Sequence, residues 1–233
     1  MADAVARDAI AASGTLFARL REAARPSWEA YVTHPFVRGL TDGTLPEAAF
    51  RRYLTQDYLF LIHFARAYAL AVVKHATLDD MRSAAATLDA LLNHEMRLHV
   101  EFCSGWGIAQ AEMEAEAEAE ETMAYTRYVL ERGLAGDVLD LEVALAPCVI
   151  GYAEIGARMT ADPRLVRAGN RYDSWRAMYA GAEFQAVASA AIARLDRLGA
   201  ARGAEARFAG LARTFEEACR LEARFWQMGL DAA

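Results

Sequence analysis

The chain has 233 residues, a formal net charge of −7, and 55% hydrophobic against 24% charged residues. That length supports a sizeable core; the acidic balance, with no basic cluster, disfavours a nucleic-acid surface, which needs local positive charge to displace counterions. No apolar run reaches the length of a bilayer span, so a membrane role is not expected. Residues 1–8 (MADAVARD) carry acids where an export signal would carry bases, and residues 1–12 read as a flexible extension ahead of a helical domain over 13–230. Cys103, Cys148 and Cys219 are an odd, widely spaced set without a CxxC pair. Such a set argues against a disulfide framework or a zinc knuckle and for a reducing, cytoplasmic setting.

Ala, Leu, Glu, Arg and Met dominate, prolines number five, and strand-like alternation is absent, so the chain reads as all-α. The patterns predict helices over 13–31, 35–39, 46–75, 78–105, 111–133, 137–160, 163–199 with an internal break, and 203–229. Thr44 is the expected N-cap of the third, with Pro46 in its first turn. Gly133 and Gly136 close one helix, and Asp162 with Pro163 opens another. Connections this short imply packed neighbours and hence a single-domain helical bundle. The acidic run 111–121 (AEMEAEAEAEE) reads as an exposed helical face.

Three of the predicted helices carry a polar residue where a core face should be apolar. On 46–75, Tyr53, Asp57, Phe60 and Phe64 share one face, aromatic except for Asp57. On 137–160, Leu141, Leu145, Cys148, Tyr152, Ile155 and Met159 fall on one face. Pro147 there cannot donate to the carbonyl of Val143 and is expected to kink the helix beside the thiol. On 203–229, Glu222 lies one turn before Phe225 and Trp226. Carboxylates among aromatic rings need a partner or a shifted pKa, and both conditions are common at functional sites. A bundle brings such faces together. Tyr125, Tyr128, Tyr152, Tyr172, Trp175 and Tyr179 add rings and hydroxyls suited to a flat, nitrogen-bearing ligand. Glu95 and His99 have the i, i+4 spacing of helix-borne metal ligands, and His63 could add a third. No second matching set follows, so surface or capping histidines are the expectation.

These segments, taken in order, resemble the TenA family, the thiaminase II or aminopyrimidine aminohydrolase group. The resemblance rests on His34-Pro-Phe36-Val, Gly39-Leu-x-Asp-Gly43-Thr-Leu-Pro46, Phe50-x-x-Tyr53-Leu-x-Gln56-Asp57-Tyr58, Phe64-Ala-Arg66, Glu95-x-x-x-His99 with Glu101-Phe102, and Tyr125-Thr126. It continues through Ala146-Pro147-Cys148, Gly151-Tyr152-x-Glu154-Ile-Gly156, Tyr172-x-x-Trp175 and Glu222-x-x-Phe225-Trp226-x-Met228. It implies the all-helical haem-oxygenase-like fold without haem or any other cofactor, a homotetramer, and action on a 4-amino-2-methylpyrimidine carrying a leaving group on its 5-methylene. By that likeness Cys148 is the nucleophile and Glu222 the acid/base. Asp57 would hold the aminopyrimidine, Tyr125, Tyr152 and Tyr179 would complete the polar wall, and Phe60 would supply a ring face. Ala146 stands where leucine is more usual, and Phe60 where some members have tyrosine, which removes a hydroxyl. The rival readings are a non-catalytic pyrimidine-binding or regulatory protein, a metal-dependent oxidase on the same fold, and a purely structural oligomer.

Overall fold

A computed structural model describes residues 12–233. The expected extension over 1–12 lies, apart from residue 12, outside the described residues. These contain helices and connecting turns but no strand. The helices are α1 (Leu16–Ala23), α2 (Arg25–Val32), α3 (Pro35–Asp42), α4 (Glu47–Lys74), α5 (Leu78–Ala90), α6 (Met96–Gly105) and α7 (Gln110–Ala115). They continue as α8 (Glu120–Ala135), α9 (Val138–Ala146), α10 (Tyr152–Ala161), α11 (Asp173–Ala180), α12 (Ala182–Ala201) and α13 (Ala204–Leu230). Wide, π-type turns join α5 to α6 (Leu91–Glu95) and α9 to α10 (Pro147–Gly151).

Several predicted boundaries are corrected, each for a local reason. The helix expected over 13–31 stops at Ala24 and restarts as α2, because Pro26 lacks an N–H and crowds the preceding turn. α3 runs on to Asp42 and ends at Gly43, whose φ of 77° is the left-handed value a helix terminus favours in glycine. Thr44 is not the cap of α4: its N–H and hydroxyl both bind Asp42 Oδ1, at 3.1 and 2.6 Å, and Pro46 takes the cap position. The acidic run is not one helical face. α7 ends at Ala115, and buried Gln56 clamps the chain that follows, donating to Ala117 O and accepting from Ala119 N and the Thr122 hydroxyl. Glu116 pairs with Arg52, and Glu118 with Arg127. No helix begins at Pro163. Asp162 instead takes the N–H and guanidinium of Arg164, Val166 N donates to Thr41 O, and Asn170 donates to Leu40 O; the next helix starts at Asp173.

One continuous core runs through the bundle, with Trp28, Trp175, Trp226, Tyr31, Tyr53 and Tyr125 among its fully buried side chains. Trp226 of α13 is its hinge. Its ring stacks on Phe36 (4.9 Å between centroids, 20°) and on Tyr31, and leans on Tyr53 and Tyr152. Offset contacts of this kind add to plain area burial, and they bring the polar positions of α4, α10 and α13 to one place. Among the described residues, no helix is long and apolar enough to cross a membrane.

Candidate active site

The site is built around a break in regular helix. Pro147 has no N–H to offer the carbonyl of Val143, and the chain passes through the wide turn Pro147–Gly151 instead of an ordinary helical one. Tyr31 of α2 props this turn, its hydroxyl donating to Pro147 O at 3.3 Å. Its ring lies so close to Gly151 that a Cβ there would stand 2.5 Å from Tyr31 Cε1. The four other residues of the turn are buried, whereas Cys148 is only half-buried. Cys103 and Cys219 are fully buried. Exposure therefore singles out one of the three thiols.

Six further side chains are linked to that turn and to one another by ring contacts and electrostatic coupling. Asp57 and Phe60 come from α4, Tyr125 from α8, Tyr152 from α10, Tyr179 from α11 and Glu222 from α13. Tyr125 donates its hydroxyl to Glu222 Oε1 at 2.8 Å. The Phe60 ring lies 5.2 Å from that of Tyr125 and 5.9 Å from that of Phe225, tilted against both. The Tyr152 and Tyr179 rings lie 4.9 Å apart. Gly156 permits that approach: a Cβ there would come within 2.6 Å of backbone atoms of Tyr179 and Ala180.

The electrostatics follow from burial. Glu222 is 2% exposed, and removal from water pushes its carboxyl up to about 8; the Tyr125 hydrogen bond opposes this and nearby Asp57 adds to it. Asp57 is pushed up to about 6 by burial, against the pull of His99 and of a hydrogen bond from Tyr53. The Cys148 thiol is raised well above its ordinary value, first by burial and then by the Glu222 and Asp57 carboxylates. Burial likewise holds Tyr125, Tyr152 and Tyr179 as neutral phenols. At neutral pH the site thus holds a thiol, a protonated Glu222, an ionised Asp57 and several O–H donors.

Three residues given no place in the site from sequence complete the frame. Tyr53 accepts from Trp175 Nε1 at 3.3 Å, and its own hydroxyl donates to Asp57. Its place one turn before Asp57 on the same stripe was the available signal. Tyr31 gave none, since its partner Pro147 is 116 positions away. His99 of α6 reaches Leu54 O with Nε2 at 2.9 Å and Asp57 Oδ2 with Nδ1 at 3.5 Å. His94 and Glu95 are exposed, so the Glu95/His99 spacing does not converge, and His63 pairs with Glu118 at 2.9 Å. Among the described residues, no three His, Cys, Asp or Glu side chains are grouped as metal ligands would be.

The model of the TENA/THI-4/PQQC family matches residues 21–232. An aminopyrimidine aminohydrolase of Halalkalibacterium halodurans is 39% identical over 217 residues, 92% of this chain and 95% of that protein. The crystal structure of a TenA family transcription regulator from Silicibacter sp. TM1040 is 48% identical, covers 93% of this chain and 97% of its own, and superposes with a TM-score of 0.86. A domain of unknown function with a heme oxygenase-like fold from Shewanella denitrificans, 13% identical with a TM-score of 0.66, shares the fold alone. Because the match extends from α1 through α13 and takes in every side chain of the site, the chain belongs to the TENA/THI-4/PQQC family and has its all-α, heme-oxygenase-like fold.

Proposed function

We propose that this protein is a hydrolase of thiamin salvage that replaces the leaving group on the 5-methylene of a 4-amino-2-methylpyrimidine with water, through a covalent adduct at Cys148. Aminomethylpyrimidine and thiamin both carry that ring. The observation that carries the reading is a buried, hydrogen-bonded acid, Glu222, acting electrostatically on the one cysteine of the three that is not fully buried. The aminopyrimidine aminohydrolase activity named for the Halalkalibacterium relative points the same way. In this reading the enzyme is cytoplasmic and homotetrameric.

The resting protonation states suit addition of a neutral thiol across a ring C=N bond. Sulfur attacks the carbon beside a ring nitrogen while Glu222 gives that nitrogen its proton; the carboxylate so formed takes the thiol proton, and charge is conserved. No standing thiolate is needed, which fits a thiol whose pKa burial has raised. The ring, now enamine-like, expels the 5-methylene substituent, an ammonium group leaving as ammonia or the thiazolium of thiamin as the neutral thiazole, and the exocyclic nitrogen takes up the positive charge. Water adds to the exposed methylene and loses a proton as that nitrogen returns to a neutral amine; the ring N–H proton then goes with the departing sulfur, and the hydroxymethylpyrimidine is released. Asp57 accepts from the exocyclic amine and sets the register for attack. Phe60 and Phe225 cover one ring face, and the phenols of Tyr152 and Tyr179 answer the remaining polar edge.

Cys148→Ala and Glu222→Ala should each lower turnover of the aminomethylpyrimidine by ~10³-fold or more with an unchanged helical circular-dichroism spectrum. Cys103→Ala should retain activity. Unimpaired kcat in Cys148→Ala would remove the covalent step. The regulator name carried by the Silicibacter protein suggests a second reading; a gel-shift series in rising salt tests it, and the net charge of −7 predicts no specific complex.

A further inference from the structure

The proposed chemistry makes no use of His99, although its imidazole spans one turn of α4, from the carbonyl of Leu54 to the carboxyl of Asp57. Its two contacts constrain where its hydrogens can sit. A main-chain carbonyl can only accept, so Nε2, 2.9 Å from Leu54 O, carries a proton. Nδ1 then faces Asp57 Oδ2 at 3.5 Å. Two lone pairs confronting each other there would repel, in a place where both side chains are about nine-tenths buried (10% and 12% exposed). A proton shared between them would relieve that repulsion. Among the described residues, His99 is the only basic side chain within 4.0 Å of the Asp57 carboxylate. The Tyr53 hydroxyl, oriented by Trp175, is the other donor.

We propose that His99 is a positioning residue: its Nδ1–H holds Asp57 Oδ2, so that the carboxylate keeps its charge and turns its remaining lone pairs to the exocyclic amine of the aminopyrimidine. The inference rests on the proposed function for the identity of the amine, but not for the contact itself. It assigns the Glu95/His99 spacing a meaning other than a ligand pair, since only His99 points inward. It also explains why Asp57 can remain a carboxylate in surroundings that leave Glu222 protonated: each acid is buried, and only Asp57 has a basic partner.

Two isosteres separate positioning from mere helix docking. Asparagine at 99 places its amide near Nδ1 and keeps donation to Asp57; glutamine places its amide near Nε2 and keeps only the contact to Leu54 O. His99→Gln should raise KM for the aminomethylpyrimidine ~10-fold or more with kcat within ~3-fold, because Cys148 and Glu222 are untouched. His99→Asn should stay within ~3-fold of the parent in both. The opposite order would show that His99 serves only to dock α6 on α4, and would overturn the proposal. A second readout needs no turnover. In two-bond ¹H–¹⁵N spectra at pH 7, the His99 Nδ1 resonance of the ligand-free protein should report a shared proton and move in Asp57→Asn, while Nε2 stays protonated. A bare Nδ1, identical in both proteins, would also overturn it. An inactive parent enzyme with the expected spectra would instead sink the proposed function and leave the contact standing.

Discussion

Glu222 and Asp57 are both carboxylic acids in the same buried site, yet burial leaves them at about 8 and about 6. The difference lies in their partners. Tyr125 gives Glu222 one neutral hydrogen bond, whereas Asp57 has both a phenol and an imidazole. The two roles require opposite states: Glu222 must hold its proton to give it to the ring, and Asp57 must have lost its own to accept the amine. Activity should therefore rise as pH climbs through about 6 and fall as it climbs through about 8, a bell in kcat/KM whose limbs belong to the interacting pair. Steady-state rates from pH 5 to 9.5 check this; an undiminished rate at pH 9.5 would rule out Glu222 as the proton donor. The acids themselves were legible in sequence because a carboxyl on an aromatic stripe breaks a simple pattern. Their partners were not: Tyr125 and Glu222 are 97 positions apart, and periodicity is blind to such a contact.

At the level of elements, the long helices were readable and the interruptions were not. α4 and α13, of 28 and 27 residues, sustain a helical period long enough to declare themselves. The breaks at 116–119 and 162–172 depend on what the chain meets there: Gln56 from α4 in one case, the carbonyls of α3 in the other. Pro147 announced a disturbance, but the wide turn it lies in is propped by Tyr31 from a distant helix. Gly156 belongs to the same class of tertiary requirement. There α10 meets the backbone at the end of α11, and backbone cannot rotate aside as a side chain can. Gly156→Ala should cost ~1–3 kcal/mol in urea denaturation, near the upper end. It should also raise KM by parting Tyr179 from Tyr152. Gly210→Ala is the control, since the nearest atom to a Cβ there is the end of Arg213 at 4.0 Å; at a mid-helix position it should be neutral or slightly stabilising.

The molecule as a whole is closed by a buried ionic knot that begins on the same helix as Tyr152, just beyond the Cys148 turn. Glu154 of α10 is fully buried; it accepts from Arg21 of α1 at 3.0 Å and from Trp28 Nε1 of α2 at 3.1 Å, and it pairs with Arg158 one turn on. Arg158 also forks onto both oxygens of Glu29, at 2.8 and 3.0 Å. Three helices are thereby tied together, and α10 is the one that follows directly from the Cys148 turn. Removing one member of a buried pair leaves the other charge without compensation, typically costing ~3–5 kcal/mol, whereas replacing both can be far milder. Arg158→Met should fall at the lower end of that range, because Arg21 and Trp28 still hold Glu154. Glu154→Gln leaves the Arg158 guanidinium with Glu29 alone and should cost a similar amount. The double variant should cost clearly less than the sum, since the Glu154–Arg158 pair is then removed as a whole. Urea unfolding followed by tryptophan fluorescence measures all four proteins. Additive costs would mean that the knot works as separate surface-like bonds, and that α1 and α2 could loosen without disturbing the helix behind the thiol.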